Sequence, residues 1–256
     1  MLKRENDSMK LILCLFFLLG KALASFAANG IQVSYIEIYR EMEEQAVPDK
    51  NYWNLLTDGE RSSFVWIQDS TIPAKFGPQD GRYEVWKNVR EEGELVYKGT
   101  MSEPKSYYEE PIPNLAWEML PGDSAICDYP CQKARVTFRG RTWTVWYTLE
   151  LPYSDGPWKL CGLPGLIIKA EDSKRDFLFS AYRIAQVDVP TWKLSTRSYQ
   201  KTTPSKYASN VISTFLDMKT SGFEKNMDGT ITFSSANMKP DPKTACLYEY
   251  FDDNKK

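Results

Sequence analysis

From residue 31 to residue 187 the chain is a succession of short runs in which apolar and polar residues alternate, and no long helical pattern interrupts them. Residues 31–39 (IQVSYIEIY) show the period of two expected of a half-buried strand. Similar runs cover residues 63–67, 82–89, 95–101, 131–138, 141–149, 165–171 and 176–187, punctuated by Gly and Pro. Strands that follow one another without helices between them predict an antiparallel sheet. Residues 114–120 fit either a strand or a short helix. After residue 195 the period changes. Thr203 and Pro204 can cap and open a helix. Tyr207, Val211, Ile212, Phe215 and Met218 then recur at helical spacing until Gly222 can stop it. Residues 230–234 and 247–251 read as late strands. The predicted fold is mainly β: a single twisted antiparallel sheet or open half-barrel, with a C-terminal helix packed on it.

At the N-terminus, Met9 and Lys10 lead into an apolar run over residues 11–20. That run is shorter than the ~20 residues a membrane-spanning helix needs. Ala22 and Ala24 then supply an A-x-A-like exit, so residues 1–24 read as a secretory signal peptide. A short membrane anchor is the rival reading, and Met9 is an alternative start. Residues 25–256 show no internal repeat or linker and are expected to form one domain. Cutting after Ala24 removes four basic and two acidic residues, leaving 28 basic and 32 acidic, a net charge of −4. Such a chain does not suit nucleic acid. No later segment is apolar enough to span a membrane, so the exported part is expected to be soluble, in the periplasm or cell envelope.

Histidine is absent. Nucleophile systems that depend on an imidazole base are therefore excluded, and so are the commonest catalytic zinc arrangements. No cofactor or metal site is predicted, and Cys127-x-x-x-Cys131 lacks a convincing second pair.

Residues 131–172 hold most of the remaining information. Arg139-Gly140 fits a two-residue hairpin turn. In that register Val136 faces Trp143, Ala134 faces Val145 and Cys131 faces Thr148. One face carries Ala134, Val136, Phe138, Trp143, Val145 and Tyr147, a core face. The other carries Lys133, Arg135, Thr137, Thr142, Thr144 and Trp146, so Trp146 is the aromatic out of place. Asp155-Gly156-Pro157 makes a turn, and Leu163-Pro164-Gly165-Leu166 fits a type II turn feeding the next strand. The bend can simply steer the chain back into the sheet; it lacks the Lys-Ser/Thr of a phosphate loop. Cys127, Cys131, Cys161 and Cys246 lie beyond the leader, and an oxidising compartment predicts disulfides. Three complete pairings are open. Cys131 lies at the open end of the hairpin, near where the 150–160 loop begins, which favours Cys161 with Cys127 or Cys131.

The run Gly162, Leu163, Pro164, Gly165, Leu166, Ile167 resembles the signature of the GLPGLI family. Around it, Cys131, Lys133-Ala134, Phe138 to Arg141, Trp146 to Thr148, Pro152, Gly156 to Lys159 and Asp172 are similar to the same family's pattern, in order. The resemblance implies an exported envelope protein of Gram-negative bacteria, of a family whose biochemical role is not established. It brings no catalytic residues. At fold level the strand order is similar to the half-barrel of periplasmic lipoprotein carriers.

Three functions compete. The first is non-enzymatic binding of a lipid-like or extended ligand, or of another envelope protein, on the concave side of the sheet, with Trp146, Tyr153 and Trp158 as candidate contacts. Each aromatic can equally belong to a core. The second is a histidine-independent hydrolase using paired carboxylates among Glu150, Asp155, Glu171 and Asp172. The third is a structural assembly subunit whose edge strands add to a partner's sheet.

Overall fold

The computed structural model describes residues 29–39, 49–67, 83–88, 93–99, 104–189, 194–220, 223–225 and 231–233. The predicted leader, Cys246 and the predicted strand 247–251 lie outside the described residues. Eleven long strands and a short one form a single open sheet. They are β1 (Gly30–Tyr39), β2 (Asp49–Thr57), β3 (Arg61–Ile67), β4 (Tyr83–Asn88), β5 (Glu94–Gly99), β6 (Ser106–Pro111), β7 (Glu118–Ile126), β8 (Tyr129–Phe138), β9 (Arg141–Thr148), β10 (Leu166–Asp172), β11 (Phe177–Val187) and β12 (Gln200–Lys201). Their spatial order is β12-β6-β5-β4-β3-β2-β1-β11-β10-β9-β8-β7, antiparallel throughout except for β12 beside β6. Helix α1 (Pro204–Thr220) follows, then the small hairpin β13 (Phe223–Lys225) and β14 (Ile231–Phe233). The fold is the predicted mainly-β sheet with a helix packed on it.

The sheet is strongly curled. Glu110 of β6 and Arg139 in the β8–β9 turn are separated by at least eight places in the strand order. In a flat sheet at ~4.8 Å per strand they would stand roughly 40 Å apart. Yet the Arg139 guanidinium donates to a Glu110 carboxylate oxygen at 2.5 Å. The far end of the sheet has therefore rolled round to face its beginning, leaving a hollow side and an outer side.

Strand alternation sorts the side chains between the two sides. Ile31, Val33, Tyr35, Trp53, Leu55, Phe64, Val85, Tyr97, Tyr108, Trp143, Val145, Ala170 and Phe179 are buried on the hollow side. Their rings interlock: Trp53 stacks on Phe64 with centroids 4.8 Å apart, and Phe64 meets Tyr35 and Phe179 edge-on. The β8–β9 hairpin has the predicted register, with Ala134 opposite Val145 and Val136 opposite Trp143. Arg139 and Gly140 both take positive φ, as its two-residue turn demands.

Alternation did not pick out β2, β6 or most of β7; β6 is short and ends in Glu-Glu-Pro, while β2 and β7 lack one polar and one apolar face. In β2, Trp53, Asn54 and Leu55 are all buried, so no polar side marks the period. β7 is nearly all exposed, and a register shift between Leu120 and Ser124 breaks it around Pro121-Gly122. That break and the proline blunt the edge it forms. At the other edge β12 covers the start of β6.

After β11 the chain passes the outer side, where Tyr199 lies against Lys98 (5.1 Å from nitrogen to ring centroid). It then turns round the β6 edge onto the hollow side. Thr203 caps α1, accepting from the Lys206 N–H at 3.3 Å. Tyr207 packs edge-on against Tyr97 and Tyr108.

The bend before β10 is not the predicted type II turn. That turn needs positive φ at Gly165, and the residue with positive φ is Gly162, at +91°. Gly165 is required for a different reason: a Cβ there would collide with the Thr148 carbonyl as the chain passes the end of β9. Gly165→Ala must shift a strand backbone and should cost about 1–3 kcal/mol, the range for overpacking. Gly162→Ala should cost about 1–2 kcal/mol for the left-handed conformation alone. Urea unfolding of both variants checks this; an unaffected Gly165→Ala protein would contradict the close approach.

Candidate functional site

Residues 149–165 leave the end of β9, cross the hollow and return at β10. Their apolar side chains fill the space inside the curl. Leu151, Trp158, Leu160 and Leu163 are buried, with Trp158 against Phe138 and Trp143 at centroid distances of 5.6 and 5.7 Å. Trp158 adopts φ +53° in a turn closed by the Leu160 N–H donating to the Pro157 carbonyl at 3.1 Å.

Two lysines fasten this strap to the opposite strands. Lys87 points from β4 into the hollow, on the same side as Val85. Its ammonium donates to the Asp155 carboxylate, to the Gly156 carbonyl at 3.1 Å and to the Trp158 carbonyl at 3.2 Å. Lys159 reaches the other way, from the strap to β6. It donates to the Tyr108 hydroxyl at 2.8 Å and to Glu110 at 2.5 Å, with the Tyr108 ring 4.8 Å away. Glu110 thus bridges Lys159 and Arg139 and closes the mouth of the curl. Tyr35 ties β1 to the same region, its hydroxyl donating to the Ile167 carbonyl at 2.6 Å. Burial, with Asp155 and Cys127 nearby, pushes that phenol well above its ordinary pKa, so it remains a donor.

The predicted ligand contacts do not come together. Trp158 is a core residue of the strap, 1% exposed. Tyr153 is half-buried at the strap's start, beside Gly59. Trp146 lies on the outer side, half-buried, with Lys133 of β8 and Lys169 of β10 as its cross-strand neighbours. The two ammonium groups sit 5.7 and 4.3 Å from its ring centroid. A flanking pair of cations explains an aromatic on this face without invoking the hollow.

Nor do the four acids converge. Asp155 is engaged by Lys87, and Asp172 by Arg141 in a buried pair at 2.8 Å. Glu171 stands 3.9 Å from both Lys169 and Arg175, while Glu150 is exposed. Turn carboxylates are ordinarily solvated, but two of these are buried and neutralised by cations.

Cys127, Cys131 and Cys161 are free thiols; neither pairing favoured for Cys161 is formed. Cys127 is exposed in the β7–β8 turn and donates to the Ala181 carbonyl at 3.1 Å, whereas Cys161 is buried in the strap. Burial raises all three thiol pKa values. That of Cys161 is pushed up to about 11, with Asp155 adding to the rise and Lys87 opposing it. A thiol raised in this way is a poor nucleophile near neutral pH. Among the described residues, no three of His, Cys, Asp and Glu are grouped as a metal site.

The class so defined is an open, curled antiparallel sheet whose hollow is occupied by a strap of its own chain. Comparisons with known proteins reach the general fold only. A family described as a protein of unknown function (Porph_ging) matches residues 132–169, the hairpin, the strap and the start of β10. No curated protein matches the chain. A crystal structure of PNGF-II aligns over 73% of this chain at 15% identity, with a TM-score of 0.51. The aligned part is 34% of PNGF-II, so this chain spans about a third of that protein. At this identity the likeness extends to the fold alone. MucB, in complex with MucA(peri), aligns over 69% of this chain and 57% of its own at 13% identity, with a TM-score of 0.35. A LolA superfamily protein from Nitrosomonas europaea aligns over 64% of this chain and 89% of its own at 12% identity, with a TM-score of 0.30. Both are too remote to carry an argument.

Lys87, Glu110 and Lys159 were absent from the predicted site. Lys87 falls on the same face of a predicted strand as Val85, where alternation expects an apolar residue; Glu110 shares a face with Tyr108, but β6 was not among the predicted strands, so its position carried no such signal. Lys159 adjoins Trp158 in the strap.

Lys87→Met would leave Asp155 buried without its cation and should cost about 3–5 kcal/mol. Lys87→Met combined with Asp155→Asn should recover part of that loss, a coupling visible in a double-mutant cycle by urea unfolding. Native-state alkylation followed by mass spectrometry should label Cys127 readily and Cys161 only after unfolding. Rapid labelling of Cys161 in the folded protein would contradict its burial.

Proposed function

We propose that the protein is a non-enzymatic binding component of the bacterial cell envelope, and that it meets a protein partner with its outer surface. The observation that carries this reading is the filled hollow. A lipid carrier needs an apolar cavity lined from several strands. Here Leu151, Trp158, Leu160 and Leu163 occupy that volume, held by Lys87 and Lys159. Hydrolysis by paired carboxylates is disfavoured because Asp155 and Asp172 are each held by a cation. Strand addition is disfavoured at β7, where Pro121 and the register shift interrupt the edge. The outer face of β8–β10 stands apart from these obstacles. Export by the predicted leader is the support for seeking such a partner in the periplasm or on the envelope.

Native mass spectrometry of the full chain purified from its own envelope tests the exclusion of lipid. The mass should be that of the polypeptide without a bound lipid, and a fluorescent fatty-acid analogue should not bind stoichiometrically. A retained lipid at one per chain would overturn the reading.

A further inference from the structure

We propose that the outer face of β8–β10 binds an acidic peptide segment of its partner, with Lys133 and Lys169 as the anchoring cations. This rests on the partner-binding reading and specifies the chemistry of the partner.

The argument begins with register. Lys133, Trp146, Lys169 and Ser180 are successive cross-strand neighbours on β8, β9, β10 and β11 and so share the outer side. The next row on that side is Glu118, Arg135, Thr144 and Glu171. Across these two rows stand three cations and two carboxylates.

The carboxylates are unevenly committed. Glu118 takes Arg135 in a forked pair at 2.9–3.2 Å. Glu171 is 3.9 Å from Lys169, the outer limit of an ion pair, and equally far from Arg175. Lys133 has no carboxylate partner among the described residues. The Lys133–Trp146–Lys169 row is thus cationic, with no strong anionic partner, in a chain whose formal net charge is −2.

The Trp146 ring orders both ammonium groups. Neutral packing on this face would ask for no charge at all, whereas two cations held against one indole form a preorganised site for anionic groups. A cation–π contact at an exposed site is weak, so it does not by itself compensate for placing two like charges around one ring.

Charge complementarity also selects the length of the occupant. At physiological ionic strength fields fade over about 8 Å. A short acidic segment across two or three strands therefore feels these lysines and little of the negative remainder. An extended polyanion would feel both, which argues against nucleic acid or an anionic bilayer. Thr137 is exposed on the same face, its hydroxyl paired with that of half-buried Thr142 at 3.1 Å, and Thr144 lies half-buried beside Trp146's row.

The test uses the full exported chain and three short synthetic peptides: alternating Glu and Thr, alternating Gln and Thr, and alternating Lys and Thr. By calorimetry or NMR the Glu peptide should bind, at least about ten-fold more tightly than the others, and weaken as salt is raised. Lys133→Gln with Lys169→Gln should reduce its affinity about ten-fold, the effect of two exposed charge pairs. Equal binding of the Gln peptide, or an unchanged affinity in the double variant, would overturn the assignment. A photo-reactive residue at Thr144, in the protein produced in its own envelope, separates this failure from that of the broader reading. A cross-link into a partner stretch without Asp or Glu sinks the acidic assignment alone, whereas retained lipid in the hollow sinks the reading beneath it.

Discussion

Two ammonium groups buried in the hollow of the sheet govern much of the rest. A charge withdrawn from water costs several kcal/mol unless its hydrogen-bonding capacity is met. Lys87 meets it with one carboxylate and two backbone carbonyls, all from the strap, and that set of acceptors dictates the strap's path. Trp158 is driven to positive φ, and Gly156 lies where a Cβ would come within 2.7 Å of the Ile167 Cβ. Lys159 imposes a second condition from the opposite direction, because Tyr108 and Glu110 satisfy it only if β6 has curled round to face the strap. Curl and strap are therefore mutually dependent.

That dependence moves the search for function to the surface. A curled sheet with an empty centre is a natural container, but this centre holds leucines and a tryptophan of the same chain. The two sheet edges are blunted, one by a bulge with a proline and the other by β12. The outer side instead places a tryptophan between two lysines on neighbouring strands. On such a face, cross-strand pairing brings together side chains distant in sequence, here 133, 146 and 169, without any need for burial.

The limits of reading the sequence follow from the same physics. Alternation found β1, β3, β4, β5 and the hairpin because those strands divide apolar from polar residues, and Arg139-Gly140 set the hairpin register through its turn geometry. It missed β2, which is buried on both sides, β6, whose second half is Glu-Glu-Pro, and most of β7, which is exposed on both. Trp146 was legible as an aromatic on the wrong face; that Lys169 would complete its surroundings was not, since β10 begins only after the strap has crossed the hollow. Gly165 was legible as a required glycine, but for φ rather than for its contact with Thr148, because a collision with a distant carbonyl leaves no local trace.

Composition and pattern by themselves determined the class of fold, the capped C-terminal helix, the β8–β9 hairpin and the exclusion of imidazole chemistry, since each depends on residue type or short-range period. Tertiary structure decided which side of the sheet was filled, what neutralised Asp155 and Asp172, and where Trp146 and Trp158 came to lie relative to each other. Those outcomes depend on how far the sheet curls. Curl brings β6 against the β8–β9 turn across most of the sheet's width, and no local rule of sequence carries that distance.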